Sequence, residues 1–396
     1  MFVKSRVVRA LESQLEHFRT HQASERGQLE ALSRLLDHMA RMSRLELMER
    51  LSAISHPGAL PTSEQDEHDT PIISFPLQWR THEDARAWAR EVLTGRPTFA
   101  VDGSQIPSQR AFSLPVALIQ IGWYENRHLP GGEYEKDIDV EVLPPELVTF
   151  SDEELSGETD LLVGVRRFQK ETGRLMQYMR AHAGDPGRPV VFFDGSLIVS
   201  FAQRLSESIR QSYIQAMTTL LLTSQETSVP LVGYIDTSYA RDLCTMLLCM
   251  ETPFPKNPTA DANLLRSRMK WGDRTPAYIC ARDDKVLDQY DLACAGLSRQ
   301  VAFLYLKTTA ANAPARLEVP LWVLEAGRLD DTLDIVRAEV VVGNGYPYPL
   351  ETADAVAVLT IEDRERFQQT FEQFARAHQL GLRYSRKALS KRQRRV

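Results

Sequence analysis

The chain has 396 residues, 43% of them hydrophobic and 25% charged, with a net charge of -6, an isoelectric point near 5.9 and a mean hydropathy of -0.30. These values are those of an ordinary folded protein and exclude collagen-like, mucin-like and wholly disordered chains. The acidic total also argues against a nucleic-acid partner unless Lys and Arg cluster locally.

The N-terminus, Met1-Phe-Val-Lys-Ser-Arg, turns charged too soon to hold the apolar core of a secretory signal. The longest apolar runs, residues 189–193 and 301–306, fall far short of the roughly 20 residues that span a bilayer. A cytoplasmic protein without membrane contact is expected. Residues 1–55 form a helical arm, because 4–54 lack proline and place Val7, Leu11, Leu15 and Phe18, then Leu29, Leu32, Leu36 and Met39, at helical spacing. That stripe suits either a dimer contact or packing on the chain's own domain. Residues 56–75, with prolines and acids but no period, read as a linker or loop.

One large α/β domain is expected over 76–382. Its candidate strands are 98–101, 113–123, 138–143, 190–193, 231–235, 301–307 and 317–324, with helices over 162–182 and 197–224 to cover a mixed sheet. The run 113–123 follows Asp102 so closely that the two strands should form an antiparallel hairpin. Four cysteines (Cys244, Cys249, Cys280, Cys294) without a CxxC pair read as buried free thiols. The tail, 383–396, carries seven basic residues and no acid, and is either solvated or phosphate-contacting.

Two segments share one construction, Phe99-Ala-Val-Asp102-Gly103-Ser104 and Val191-Phe-Phe-Asp194-Gly195-Ser196. In each, an apolar strand ends in a carboxylate and glycine turns the backbone away, a rigid platform of the kind a metal ligand needs. Asp-Gly is also a common turn dipeptide. In the helix 165–179, Glu171 sits on the edge of an apolar face made by Phe168, Leu175, Met176 and Met179, where it serves either as a ligand or as a partner of Arg167 or Arg174. After Gly345-Tyr-Pro-Tyr-Pro, Leu350, Asp354 and Val358 recur every four residues and set Asp354 in an apolar stripe. Four such carboxylates can hold two Mg²⁺ or Mn²⁺ ions for phosphodiester hydrolysis. Phosphate-loop, dinucleotide, zinc-protease and serine-hydrolase signatures are missing. Six of nine histidines precede Asp102, which disfavours a histidine metal site.

The order of VDGS at 101, Arg167-x-x-x-Glu171, DGSL at 194 and GYPYPLETAD at 345 resembles the NurA family of DNA-processing nucleases over about residues 95–365. The resemblance implies an RNase H-like mixed β-sheet flanked by helices. It implies a Mn²⁺- or Mg²⁺-dependent 5′-to-3′ exonuclease and single-strand endonuclease of two-metal type. It implies homodimers acting on DNA ends with a HerA-type hexameric translocase in double-strand break repair. By position, Asp102, Glu171 and Asp194 look like its metal ligands. Asp354 stands where the family often has histidine, and aspartate is a poorer proton shuttle near neutral pH. The segment 231–242 resembles the family's next strand and helix start, where Tyr239 or Arg241 would face substrate, with Arg167 as a further contact. Thr237 and Ser238 would cap that helix, and Asp236 is a second-tier ligand. The substituted histidine also keeps open a catalytically weak, DNA-clamping adaptor, and a related transposase or junction resolvase is a third reading.

Overall fold

A computed structural model describes residues 2–108, 113–148, 158–250 and 259–383. The basic tail beyond Arg383 lies outside the described residues. No described helix is long and apolar enough to cross a membrane. The chain divides into two units, one built from the residues up to Gln78 with Ile235–Asp283 and Arg299–Glu318, the other from Trp79–Tyr234, Asp284–Ser298 and the chain from Val319 on.

In the first unit, α1 (Lys4–Glu12), α2 (Leu15–Met39) and α3 (Arg44–Leu51) make the arm. Only the second half of its stripe is covered. Leu32, Leu36 and Met39 are fully buried where α2 packs on α9 (Asp242–Cys249) and α10 (Asp261–Leu265), while Val7, Leu11, Leu15 and Phe18 are exposed. Residues 56–75 are not the expected loop. There β1 (Gly58–Pro61) pairs antiparallel with β7 (Tyr278–Ala281), and α4 (Glu64–Glu67) sends Glu64 inward. The Glu64 carboxylate accepts from Arg274 at 2.6 and 3.0 Å and from Ala277 N at 2.7 Å. In strand order this unit runs β1, β7, β8 (Val301–Leu306) and β9 (Ala315–Pro320), so β1 is an edge strand, where Pro61 is tolerated.

Thr237 and Ser238 do not cap α9. Asp261 does so from another turn of chain, accepting from Leu243 N at 3.0 Å and Cys244 N at 2.8 Å, while Ser238 Oγ accepts only from Ala240 N at 3.2 Å. Cys244 and Cys280 are buried thiols, but Cys249 is half-buried and Cys294 exposed, so the expectation of four buried thiols fails for two.

In the second unit, β2 (Thr98–Ile106), β3 (Ala117–Asn126) and β4 (Tyr134–Leu143) form the antiparallel meander that the hairpin expectation began, and β5 (Val190–Asp194) and β6 (Leu231–Ile235) add in parallel beside β2. The strand order is β6, β5, β2, β3, β4. The helices are α5 (His82–Leu93), α6 (Pro145–Val148), α7 (Glu158–Ala181), α8 (Glu207–Thr227), α11 (Lys285–Gln289), α12 (Leu321–Glu325), α13 (Leu329–Val342), α14 (Tyr348–Ala357) and α15 (Ile361–Ala377). Helix α12 replaces the end of the strand expected over 317–324, because Pro320 closes β9. Reciprocal capping boxes, Thr81 with Asp84 and Thr360 with Asp363, fix where α5 and α15 begin.

Helices α7 and α14 both pack on β2 and β3, on opposite faces, as the alternation of side chains along the strands shows. Phe168, Leu175, Tyr178 and Met179 make the buried side of α7, with the Tyr178 ring stacked on Phe99 at 4.0 Å. Removing one member of a buried ion pair strands the other charge, so Glu64→Ala should lower the stability of the first unit by about 3–5 kcal/mol, read as a shift of the urea midpoint at unchanged slope. A shift under about 1 kcal/mol would place the pair with weak surface bridges.

Candidate active site

Strand β5 pairs with β2 only at Thr98, Phe99 and Ala100, opposite Val190, Val191 and Phe192. Continued by two residues, that register sets Asp102 level with Asp194. Adjacent strands lie roughly 4.8 Å apart, so both Asp-Gly segments meet at one notch where the β2 to β5 pairing has ended. Asp194 closes β5 as expected, and Gly195, at φ 138°, turns the chain away. The first segment differs. Strand β2 continues through Gly103 to Ile106, so Asp102 is a mid-strand residue paired with Gly122 and not a strand end.

Two glycines explain how helices reach that spot. A Cβ on Gly103 would strike Glu171 Oε1 and lie 2.9 Å from Arg167 Cγ, so only glycine lets α7 lay its carboxylate against the strand. On the other face, a Cβ on Gly122 would lie 2.7 Å from Ala357 N and 2.8 Å from Val356, so glycine also admits α14. That helix brings Asp354 near enough to Asp102 for its charge to act on the Asp102 carboxyl. Asp354 does not lie in a buried stripe. The buried side of α14 is Pro349, Leu350, Ala353 and Ala357, and Asp354 is exposed beside it.

The electrostatics follow from this crowding. The Asp102 carboxyl is pushed up to about 6, chiefly by burial and further by the neighbouring Asp354 and Asp194, against the opposing Gly103 N–H. Glu171 is pushed up to about 7, again first by burial and then by Asp102 and Asp194, with Arg167 opposing. Its Oε1 is buried and accepts no hydrogen bond, although Arg167 Nη1 approaches to 3.4 Å. The same Nη1 donates to Gly103 O at 2.6 Å, so Arg167, expected as a substrate contact, is braced against β2. Tyr346 Oη donates to Asp194 at 2.9 Å. No periodicity marks this tyrosine in the sequence, since it lies in the Gly-Tyr-Pro-Tyr-Pro run ahead of the helical pattern.

An orphaned buried carboxylate oxygen, two neighbouring acids with raised pKa and an all-oxygen donor set fit a hard divalent cation. Among the described residues no three of His, Cys, Asp and Glu are drawn close enough to enclose an ion. An ion here would be held by one or two carboxylates and completed by water or phosphate oxygens, the usual habit of Mg²⁺. Tyr239 and Arg241 belong to the other unit, where Tyr239 is 81% exposed and Arg241 precedes α9.

Residues 96–359 match the NurA domain model. The chain belongs to the NurA family. Solved NurA structures resemble it at low identity. One, NurA with manganese, is 10% identical at a TM-score of 0.43, covering 71% of this chain and 89% of that one. Another, NurA alone, is 11% identical at 0.42, covering 73% and 95%. A third, NurA bound to dAMP and manganese, is 11% identical at 0.36, covering 69% and 87%. No curated protein matches. The NurA domain model spans Asp102, Glu171, Asp194, Tyr346 and Asp354 together.

Because the folded state raises the Glu171 pKa above its ordinary 4.5 to about 7, its contribution to stability is greatest below pH 4.5 and is lost as pH rises through 7. In chelator, thermal midpoints should fall by a few degrees between pH 5 and 8, and Glu171→Gln should flatten that fall. An unchanged slope in the variant would remove Glu171 from the coupled set.

Proposed function

We propose that the chain is a divalent-metal-dependent deoxyribonuclease that hydrolyses phosphodiester bonds, with Asp102, Glu171, Asp194 and Asp354 holding Mn²⁺ or Mg²⁺, two ions in all. The observation that carries this reading is that Asp194 and Asp354 stand close enough to Asp102, and Asp194 and Asp102 to Glu171, for burial and neighbouring negative charge to make Asp102 and Glu171 less acidic. Family membership supports it independently. Bound ions at such a site neutralise phosphate charge and activate water.

The chain's own residues prepare the reaction. Gly103 and Gly122 fix how near the helices stand. Arg167 ties α7 to β2, so Glu171 keeps its place when the charge around it changes. Tyr346 orients the Asp194 carboxylate through its hydroxyl. Asp354 sets a second negative charge beside Asp102, so a cation held there would relieve the repulsion between them. The biological setting we infer is 5′-to-3′ exonuclease and single-strand endonuclease action during DNA end resection, as a homodimer with a HerA-type translocase.

Purified protein with end-labelled DNA and Mn²⁺ tests the chemistry. Asp102→Asn and Asp194→Asn should each lower the rate by about 10³-fold or more, and chelation should abolish it. Gly103→Ala should fold normally yet lose activity to a similar degree, because the new methyl displaces the Glu171 carboxylate. Tyr346→Phe should retain metal dependence with a rate about 10-fold lower. Wild-type levels of cleavage in both aspartate variants would remove the site, whereas DNA binding that survives chelation without cleavage under any divalent ion would favour the DNA-clamping adaptor.

A separate consequence concerns the metal-loaded fold. Mn²⁺ should raise the thermal midpoint of the wild-type protein at pH 8, where the carboxylates repel most, and leave the Asp102→Asn protein nearly unmoved. An equal rise in both would place the ion elsewhere.

A further inference from the structure

Beside the carboxylate notch, a cleft of about 620 Å³ opens between α7 and the outer strands β3 and β4. It adjoins the site directly. Ile121 on its floor is the register partner of Gly103, and Lys170 in its wall precedes Glu171. From Lys170 to His182 the wall follows α7 for roughly 18 Å at 1.5 Å per residue. The volume suits a nucleotide-sized ligand and is too small for a duplex.

Two of the cations in this cleft are held in ion pairs. Lys170 binds Asp139 at 2.7 Å and Glu141 at 3.3 Å, and Arg127 binds Glu125 at 3.0 Å. Glu135 accepts from Trp123 Nε1 at 3.1 Å. Arg174 has no carboxylate within ion-pair distance and makes no hydrogen bond among the described residues. Its guanidinium is held by two rings instead, 4.5 Å from the Trp123 centroid and 4.9 Å from Phe99. Burial of this group lowers its pKa despite the opposing fields of Glu135, Glu125 and Asp137, none of which comes within ion-pair distance. A guanidinium held over aromatic rings is restricted in position, which favours a bidentate acceptor such as a carboxylate or phosphate.

We propose that this cleft seats single-stranded DNA next to the bond being cut, and that Arg174 contacts a backbone phosphate there. The proposal rests on the nuclease reading for its direction, since Glu171 and Arg174 lie on one side of α7, less than one turn apart along the helix. A strand leaving the carboxylates along α7 meets Arg174 within about 5 Å of axial rise. The cleft then selects single strands by size and grips them by charge, in the manner of grooves that pair a cation with aromatic surface.

The test compares wild type, Arg174→Gln and Arg174→Lys on two substrates: a single-stranded oligonucleotide of about 15 nucleotides, and the p-nitrophenyl ester of thymidine 5′-monophosphate, whose one phosphate is the one being cut and which therefore offers Arg174 no second phosphate. Arg174→Gln should raise KM for the oligonucleotide about 10-fold with kcat retained, and should leave ester hydrolysis unchanged. Oligonucleotide binding, measured by anisotropy in chelator, should lose about 0.7 from its logarithmic salt slope, the value of one phosphate on a single strand. Arg174→Lys should keep the slope and recover part of the affinity. Equal loss on both substrates would make Arg174 a structural support of the notch, and an unchanged salt slope in Arg174→Gln would also overturn the proposal. If wild type hydrolyses neither substrate, the nuclease reading fails, while the binding slopes still decide the cleft.

Discussion

Two missing side chains govern the second unit. Sheet faces normally hold helices at the distance set by side chains on both surfaces, which keeps a helical carboxylate well away from the strand backbone. At Gly103 and Gly122 that spacing is absent on opposite faces of two adjacent residue pairs, Gly103 with Ile121 and Asp102 with Gly122. Helices α7 and α14 can therefore both lower polar groups to the level of Asp102. Without these contacts Glu171 and Asp354 would be ordinary helix acids, free to point to water.

The crowding that results is unfavourable by itself. Burial disfavours each ionised carboxylate, and neighbouring negative charges disfavour it further. The rest of the unit offsets this with rigid supports: the Phe99 and Tyr178 stack beneath α7, the Arg167 bond to Gly103 O, and the Tyr346 bond to Asp194. Each support lies outside the acids themselves and constrains a side chain or backbone segment that carries one. A site that stores repulsion in a stiff frame has a strong reason to take up cations, because binding removes the repulsion without requiring the frame to move.

Much of this was legible in the sequence, though not always for the right cause. The second Asp-Gly segment reads correctly, since an apolar run ending in Asp194 with a glycine at positive φ is a strand end in sequence and in space. The first looks identical yet is mid-strand, and its glycine serves close approach instead of a turn. Sequence cannot tell these apart, because the atom that Gly103 accommodates lies 68 residues away in Glu171. Four-residue periodicity put Asp354 on the wrong side of α14, where Leu350, Ala353 and Ala357 are the buried set. The expected loop over 56–75 failed for a related reason: Glu64, one of the acids that suggested a loop, is paired with Arg274, 210 positions along the chain. Long-range pairing, not local propensity, decides such residues.

Helix α7 shows how one element can serve two opposite electrostatic tasks. Toward Gly103 it carries Glu171, a carboxylate whose charge is opposed by burial and by other acids. Less than one turn on, toward Phe99 and Trp123, it carries Arg174, a cation held by aromatic rings and, among the described residues, in no ion pair. If the two were allowed to meet, each would quench the other, as Arg167 partly does for Glu171 at 3.4 Å. Ring contacts hold the Arg174 guanidinium beside Phe99 and Trp123, so in the proposed reading the helix offers an anion to cations and a cation to phosphate. A phosphodiester carries both needs at once: its cut phosphate sits with metal ions, and the next phosphate along requires a separate positive partner.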